Sequence, residues 1–406
     1  MVDTEVMRVV GEESRGVELG SWARLVPPSG IREIVNLVLS RPEAGVIRLE
    51  VGEPDLPIEP HIVAAAQEAA ALGIGYTQSF GIAALREAIV ERLQRVAGLS
   101  YAADEIVVGQ GGVQAMAVTF AALLDAGDEV LLPDPAWPNY AMTAVLRGAV
   151  VVPYALPASN GYLPDVDQLR RLITDRTRLI VINSPANPTG AVFPAELVAS
   201  IVELAAERDL WVMSDEVYDE LVFEGTMANA AQYDRERVVG IYSFSKTYSM
   251  TGWRVGYAAC PRSLAELLGT LQEPMVSCIS GVSQHAALAA LQGPQDGVAR
   301  KREVYRTRRD LVGGLLREAG FDAVRPSGAF YQMVPLAPGT DSRRAALDLV
   351  EHGVATAPGT AFGDVAGDQL RLSLAASEAA LRGGIERLVA WTNSTAAGAS
   401  LSTSAT

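Results

Sequence analysis

The chain has 406 residues, a formal net charge of −15 at neutral pH and a pI near 4.8. That length exceeds the roughly 250–300 residues at which single cores stop growing, so two domains are expected. The acidic balance argues against nucleic acid or an anionic membrane as partner. Two cysteines, Cys260 and Cys278, are too few for a disulfide framework or a zinc cluster, and His61, His285 and His352 lack ligand spacing, so metal chemistry is not expected. A hydrophobic fraction of 49% points to a large subunit interface more than to a merely large core. No signal peptide is evident and no apolar run reaches the ~18 residues of a spanning helix, so a cytoplasmic protein is expected.

In chain order, residues 1–18 read as a disordered tail and 19–55 as the first part of a small domain, with a helix over Gly30–Leu39 and a strand over 46–51. Residues 56–294 read as a large domain. In it, Val- and Ile-rich runs at 106–108, 129–132, 150–153, 179–183, 210–214, 238–242 and 255–259 are separated by helical-period segments. Such alternation specifies an α/β fold with a mostly parallel seven-stranded sheet buried on both faces. Residues 295–391 return to the small α+β domain. They hold a long helix over 295–319, the stretches 329–334, 343–352 and 369–374, and a final helix from Ser377 to about Trp391. The Ser-, Thr- and Ala-rich segment 392–406 reads as a second disordered tail.

Arginine supplies 31 of the 33 positive charges, leaving two lysines. Lys301, in Arg300-Lys301-Arg302-Glu303, reads as part of a solvated helix face. Lys246 differs: it stands in Ser243-Phe244-Ser245-Lys246-Thr247-Tyr248, without an acidic neighbour in sequence. A desolvated amine can lose its proton and attack a carbonyl to form a Schiff base, which a guanidinium cannot do.

Other motifs fall where strands end, the place where open α/β sheets hold ligands. Gly109-Gln110-Gly111-Gly112-Val113 is a glycine turn feeding a helix, suited either to a phosphate or to a plain structural turn. Asn187 lies in Ser184-Pro185-Ala186-Asn187-Pro188, which would otherwise be an ordinary loop. Asp215 closes a buried strand, where a carboxylate needs either a cation or a helix to cap.

Together, Asn187, Asp215, Tyr218, Lys246 and the Gly252-Trp253-Arg254-Val255-Gly256 stretch resemble the class I/II aminotransferases. These are fold-type I enzymes that use pyridoxal 5′-phosphate, and the resemblance runs from about Ser29 to about Leu388. It implies a Lys246 Schiff base with proton transfer by the freed amine, and Asp215 paired with the ring nitrogen. Tyr218 and Asn187 would bond the ring's 3′-oxygen, and Trp137 would stack on its face. The phosphate would lie on Gly112, Val113, Ser243, Ser245 and Arg254, with Tyr76 reaching across a homodimer to the neighbouring subunit's phosphate. Arg371 and the Gly52 backbone, helped by Trp137 and Asn187, would receive the substrate. Cis bonds are implied before Pro135 and Pro188.

The resemblance implies an exchange of amino groups between an L-α-amino acid and a 2-oxo acid in two half-reactions. A lysine that binds a side-chain carboxylate in some aspartate-specific members is replaced here by Val113. With Trp137, Phe330 and Tyr331 nearby, this leans toward an aromatic or aliphatic donor. The same motifs also serve β- or γ-eliminating lyases and synthases or cyclases of secondary metabolism. A non-enzymatic cofactor-binding regulator is disfavoured because no DNA-binding extension precedes the core.

Overall fold

The computed structural model describes residues 20–403. Its strands are β1 Ile47–Arg48, β2 Ile106–Gly109, β3 Glu129–Asp134, β4 Val150–Ala155, β5 Thr177–Asn183, β6 Trp211–Asp215, β7 Val238–Ser243, β8 Gly256–Ala259, β9 Tyr331–Pro335, β10 Val354–Ala355, β11 Ala357–Pro358 and β12 Gln369–Ser373. Seven of them form one sheet in the order β2-β8-β7-β6-β5-β3-β4. The neighbours from β7 to β4 pair in parallel, while β8 runs antiparallel to β2 and β7.

Successive side chains of a strand point to opposite faces, and here both faces are covered. In β5, Ile180 and Ile182 enter one core while Leu179 and Val181 enter another. Val212 and Met213 of β6 divide in the same way. Burying each such side chain contributes roughly 1.5–3 kcal/mol relative to exposure. A third core joins Ile34, Val38 and Leu49, from near the beginning of the described chain, to Val312, Leu349 and Leu381. It also covers the antiparallel sheet β11-β12-β9, while β1 pairs in parallel with β10.

Three expectations need correction. Lys301 is buried, 6% exposed, because positions 298, 301, 305, 308 and 312 share one inward face of the helix Asp296–Glu318. The strand expected over 46–51 shrinks to β1, since only Ile47 and Arg48 find a partner strand. Beyond Trp391 the chain is not a loose tail: the final helix spans Glu378–Thr403. Alanine favours helix there, and the hydroxyls of Thr392 and Thr395 return hydrogen bonds to Leu388 and Trp391 carbonyls. The expected tail at 1–18 and the last residues, 404–406, lie outside the described residues. No helix among the described residues is long and apolar enough to cross a membrane.

Behind the end of β6 lies a buried acid, Glu216, with no exposure. It accepts hydrogen bonds from Ser214 Oγ at 2.8 Å, Asn229 Nδ2 at 2.5 Å and the Ala230 N–H at 3.1 Å. Burial nevertheless pushes its pKa up from 4.5 to about 7. Between those values the folded chain holds a proton that the unfolded chain has released, so this group's contribution to stability is lost as pH rises. Denaturation at about pH 5 and about pH 7.5 is expected to show wild-type stability falling by about 2 kcal/mol more than that of Glu216→Gln. Equal falls would refute the shift.

Candidate active site

The C-terminal ends of β3, β5, β6 and β7 and the start of β8 meet along one edge of the main sheet, over a cleft of about 600 Å³. Every site residue expected from the sequence lines this cleft except Tyr76. Tyr76 instead stands 95% exposed. The expected cis bonds occur at Asp134-Pro135 and Asn187-Pro188, with a further one at Ser184-Pro185.

At one end of the cleft begins the helix Gly112–Leu123, which no side chain caps. The first N–H groups of a helix have no partner within it, so those of Gly112 and Val113 offer partial positive charge to the cleft. Beside them lie Ser243, Ser245 and Arg254. Arg254 Nη1 donates to the Thr251 carbonyl at 2.8 Å, which aims the guanidinium. Gly111, at φ +79°, passes so close that a Cβ would stand 2.4 Å from Arg254 Nη2. Only glycine lets this turn and the arginine share one dianion-sized cradle.

Asp215 ends β6 and is 4% exposed. Its Oδ2 accepts the Tyr140 hydroxyl at 2.5 Å, and Oδ1 accepts the Val217 N–H at 3.3 Å. Burial raises its pKa from 3.8 to about 6, opposed by Tyr140, the Val217 N–H and the Lys246 charge. A carboxylate so placed demands a cation. Tyr140 was not foreseen from the sequence; it stands three residues after Trp137, whose ring meets it edge-on at 5.5 Å. A polar side chain three residues beyond Trp137, in the first turn of the helix Asn139–Leu146, was the available signal.

Lys246, in the short helix Phe244–Thr247 after β7, donates from Nζ to the Gly52 carbonyl at 2.7 Å. Burial, followed by the nearby charge of Arg371, lowers its pKa from 10.5 to about 8. Gly52 is confined: a Cβ there would lie 2.0 Å from Tyr331 Oη. Its segment is braced by Thr251 donating to Glu53 at 2.6 Å and by a two-pronged Arg308–Asp55 pair at 2.7 and 2.9 Å.

Arg371, in β12, is 2% exposed. Nη1 donates to Asn187 Oδ1 at 2.9 Å and Nη2 to the Glu50 carbonyl at 2.5 Å. The rings of Tyr331 and Phe362 lie 4.4 and 4.7 Å from its guanidinium carbon. Tyr218 Oη meets Tyr331 Oη at 2.7 Å.

The cleft thus offers an anion cradle, an aromatic wall at Trp137, a buried carboxylate awaiting a cation and an amine of lowered pKa. Pyridoxal phosphate has the matching phosphate, ring, ring nitrogen and aldehyde, so the residues present fit it. With 15N-labelled lysine the protein is expected to show two side-chain signals, the Lys246 signal titrating near pH 8 in the cofactor-free form. A midpoint above about 10, the ordinary lysine value, would contradict this. Tyr140→Phe removes a donor from Asp215 and raises that carboxyl's pKa further. Cofactor affinity measured by equilibrium dialysis is expected to fall about tenfold, the loss of one hydrogen bond to a charged group.

Comparison with known proteins agrees with this chemistry. Residues 44–388 match the model of the family described as aminotransferase class I and II. An aspartate/prephenate aminotransferase of Thermus thermophilus is 40% identical over 358 residues, 86% of this chain and 92% of the relative. The structure of the Thermus thermophilus aspartate aminotransferase with maleate superposes with a TM-score of 0.89 at 38% identity, covering 92% of this chain and 99% of that one. An aromatic aminotransferase from Pyrococcus horikoshii gives 0.84 at 35% identity, covering 90% and 99%. The chain belongs to the class I and II aminotransferases: it is a fold-type I, pyridoxal-phosphate-dependent aminotransferase.

Proposed function

We propose that this aminotransferase takes its amino group from an L-α-amino acid with an aromatic or aliphatic side chain. One observation carries the reading: Ile31, Val35, Val113, Trp137 and Met142 give the lining of the cleft an apolar share. An apolar side chain leaves no buried polar group unpaired there, whereas a carboxylate laid against the same residues would lose its hydration without compensation. The cleft also holds an observation favouring a second reading. Arg32 lines it and makes no ion pair with a described residue, so it could meet a side-chain carboxylate. The Thermus relative named for aspartate and prephenate supports that second reading, and the Pyrococcus aromatic enzyme the first.

In either reading the proposed roles are the same. Arg371 receives the α-carboxylate through its planar fork, held in place by Asn187 and the Glu50 carbonyl. Bound in the cleft, pyridoxal phosphate supplies an aldehyde carbon that accepts the amino group and a ring that withdraws electrons from the substrate α-carbon. Asp215 keeps the ring nitrogen protonated. Tyr218 and Asn187 orient the ring oxygen, and Trp137 covers the ring face. Gly112, Val113, Ser243, Ser245 and Arg254 hold the phosphate.

Lys246, in its neutral form, would act as the base that takes the proton from the substrate α-carbon and, once protonated, as the acid that gives it back. Its lowered pKa near 8 makes the neutral amine accessible at physiological pH. Gly52, whose carbonyl holds Lys246, offers its N–H to the substrate carboxylate. The second half-reaction reverses these proton transfers on a 2-oxo acid.

The working form proposed is a homodimer in which Tyr76 completes the neighbouring subunit's phosphate site. Its 95% exposure, with Leu72 at 73% exposed nearby in sequence, supports an interface there. Segments 19–55 and 295–391 are proposed to act as the small domain and 56–294 as the large one, since the third core joins the first two segments. The unpaired Cys260 and Cys278 fit a reducing, cytoplasmic compartment.

Adding each proteinogenic amino acid to holoenzyme without an acceptor tests the donor. Stoichiometric conversion of the visible band to the pyridoxamine form by aromatic or aliphatic donors, with one oxo acid released per site, is the expected result. Preferred conversion by aspartate or glutamate would establish the second reading. Continuous ammonia release would mean elimination rather than transfer.

A further inference from the structure

We propose that Asp134 is a positioning residue for the substrate carboxylate: it latches the loop that carries Phe362 to the end of β3 and so sets the orientation of Arg371. The proposal rests on the reading of Arg371 as the arginine that binds the α-carboxylate.

Asp134 is the last residue of β3 and 9% exposed. Its side chain bonds nothing in its own sheet. Instead Oδ2 accepts the Asp364 N–H and Oδ1 the Val365 N–H, both at 3.1 Å. Two residues further on, the Ala136 N–H donates to the Phe362 carbonyl at 2.8 Å. Three hydrogen bonds thus tie the edge of the main sheet to the loop between β11 and β12, across more than two hundred residues of chain. Burial raises the Asp134 pKa, and the N–H groups of Val365 and Asp364 oppose that rise, so they favour the charged form.

The loop is shaped for this carboxylate. Gly363 has φ +144°, and a Cβ on it would stand 2.0 Å from Asp134 Oδ1. An L side chain at position 363 fits neither the dihedral nor the space. Phe362, held beside Gly363, is 4% exposed and packs its ring 4.7 Å from the Arg371 guanidinium carbon. Tyr331 contacts the same guanidinium at 4.4 Å, and β12 supplies the arginine itself. A planar cation against two rings has its fork direction set by them. Releasing the loop frees one of those rings, and the arginine then spends less time in the orientation that meets a carboxylate with both prongs.

Steady-state kinetics of Asp134→Asn, Gly363→Ala, their combination and Arg371→Lys test this. The asparagine amide can accept one of the two N–H groups but faces the other with a donor, and the alanine breaks the latch from the opposite side. Each single variant is expected to raise KM about tenfold for both the amino donor and the 2-oxo acid, because both half-reactions use Arg371. The expected kcat change is under about threefold, with the holoenzyme visible spectrum and cofactor affinity unchanged. The double variant is expected to be no worse than either single one, the signature of a shared interaction. If Arg371→Lys raises KM while neither latch variant does, the latch is refuted and the Arg371 reading stands. If Arg371→Lys leaves KM unchanged, the Arg371 reading fails and the latch with it. A loss confined to kcat or to cofactor affinity would refute the latch by placing Asp134 in support of the Trp137 loop.

Discussion

Surplus positive charge, gathered in one cleft of a chain whose net charge is −15, is the constraint on which the site depends. Lys246, Arg254 and Arg371 converge there, and the cleft's acids are Asp215 and the exposed Glu53. Cations held together out of water are unfavourable until anions arrive. Burial and the neighbouring Arg371 bring Lys246 down to about 8, and burial lowers even Arg371. The fold therefore leaves the cleft in demand of anions, with an amine of lowered pKa among its cations.

The sheet explains how these charges are held apart at useful positions. Parallel strands β3, β5, β6 and β7 end at a common edge, so Asp134, Asn183, Asp215 and Ser243 reach the same level without any long loop. The antiparallel β8 begins at that edge, which brings Arg254 in from the opposite chain direction. Gly52 and Arg371 belong to segments flanking the third core and close the cleft from its other side. Their contacts to Lys246 and Asn187 cross from one body of packing to another. Gly52, Lys246 and Arg371 thus line the cleft at the junction of the two.

Much of this was legible in the sequence, for identifiable reasons. Strands buried on both faces must be short β-branched runs, so β5, β6 and β7 stood out. Residues marked by backbone turns and charge, such as Gly112, Asp215, Lys246 and Arg254, cluster at strand ends and form local motifs. Other features had no local signature. Lys301 looked solvated among its charged neighbours, yet helical phase rather than composition placed it inward. The terminal Ser-, Thr- and Ala-rich stretch looked disordered because composition weighed more in that reading than continuation of an existing helix.

By itself, the sequence determined the α/β architecture, the lysine able to act as a nucleophile and the charges that surround it, since those follow from periodicity and side-chain chemistry. Tertiary structure alone decided what each charge touches. Tyr140 meets Asp215 across 75 residues, and Asp134 meets Asp364 across 230. A hydrogen bond works over about 3 Å, so partners that far apart in the chain leave no pattern until packing brings them together.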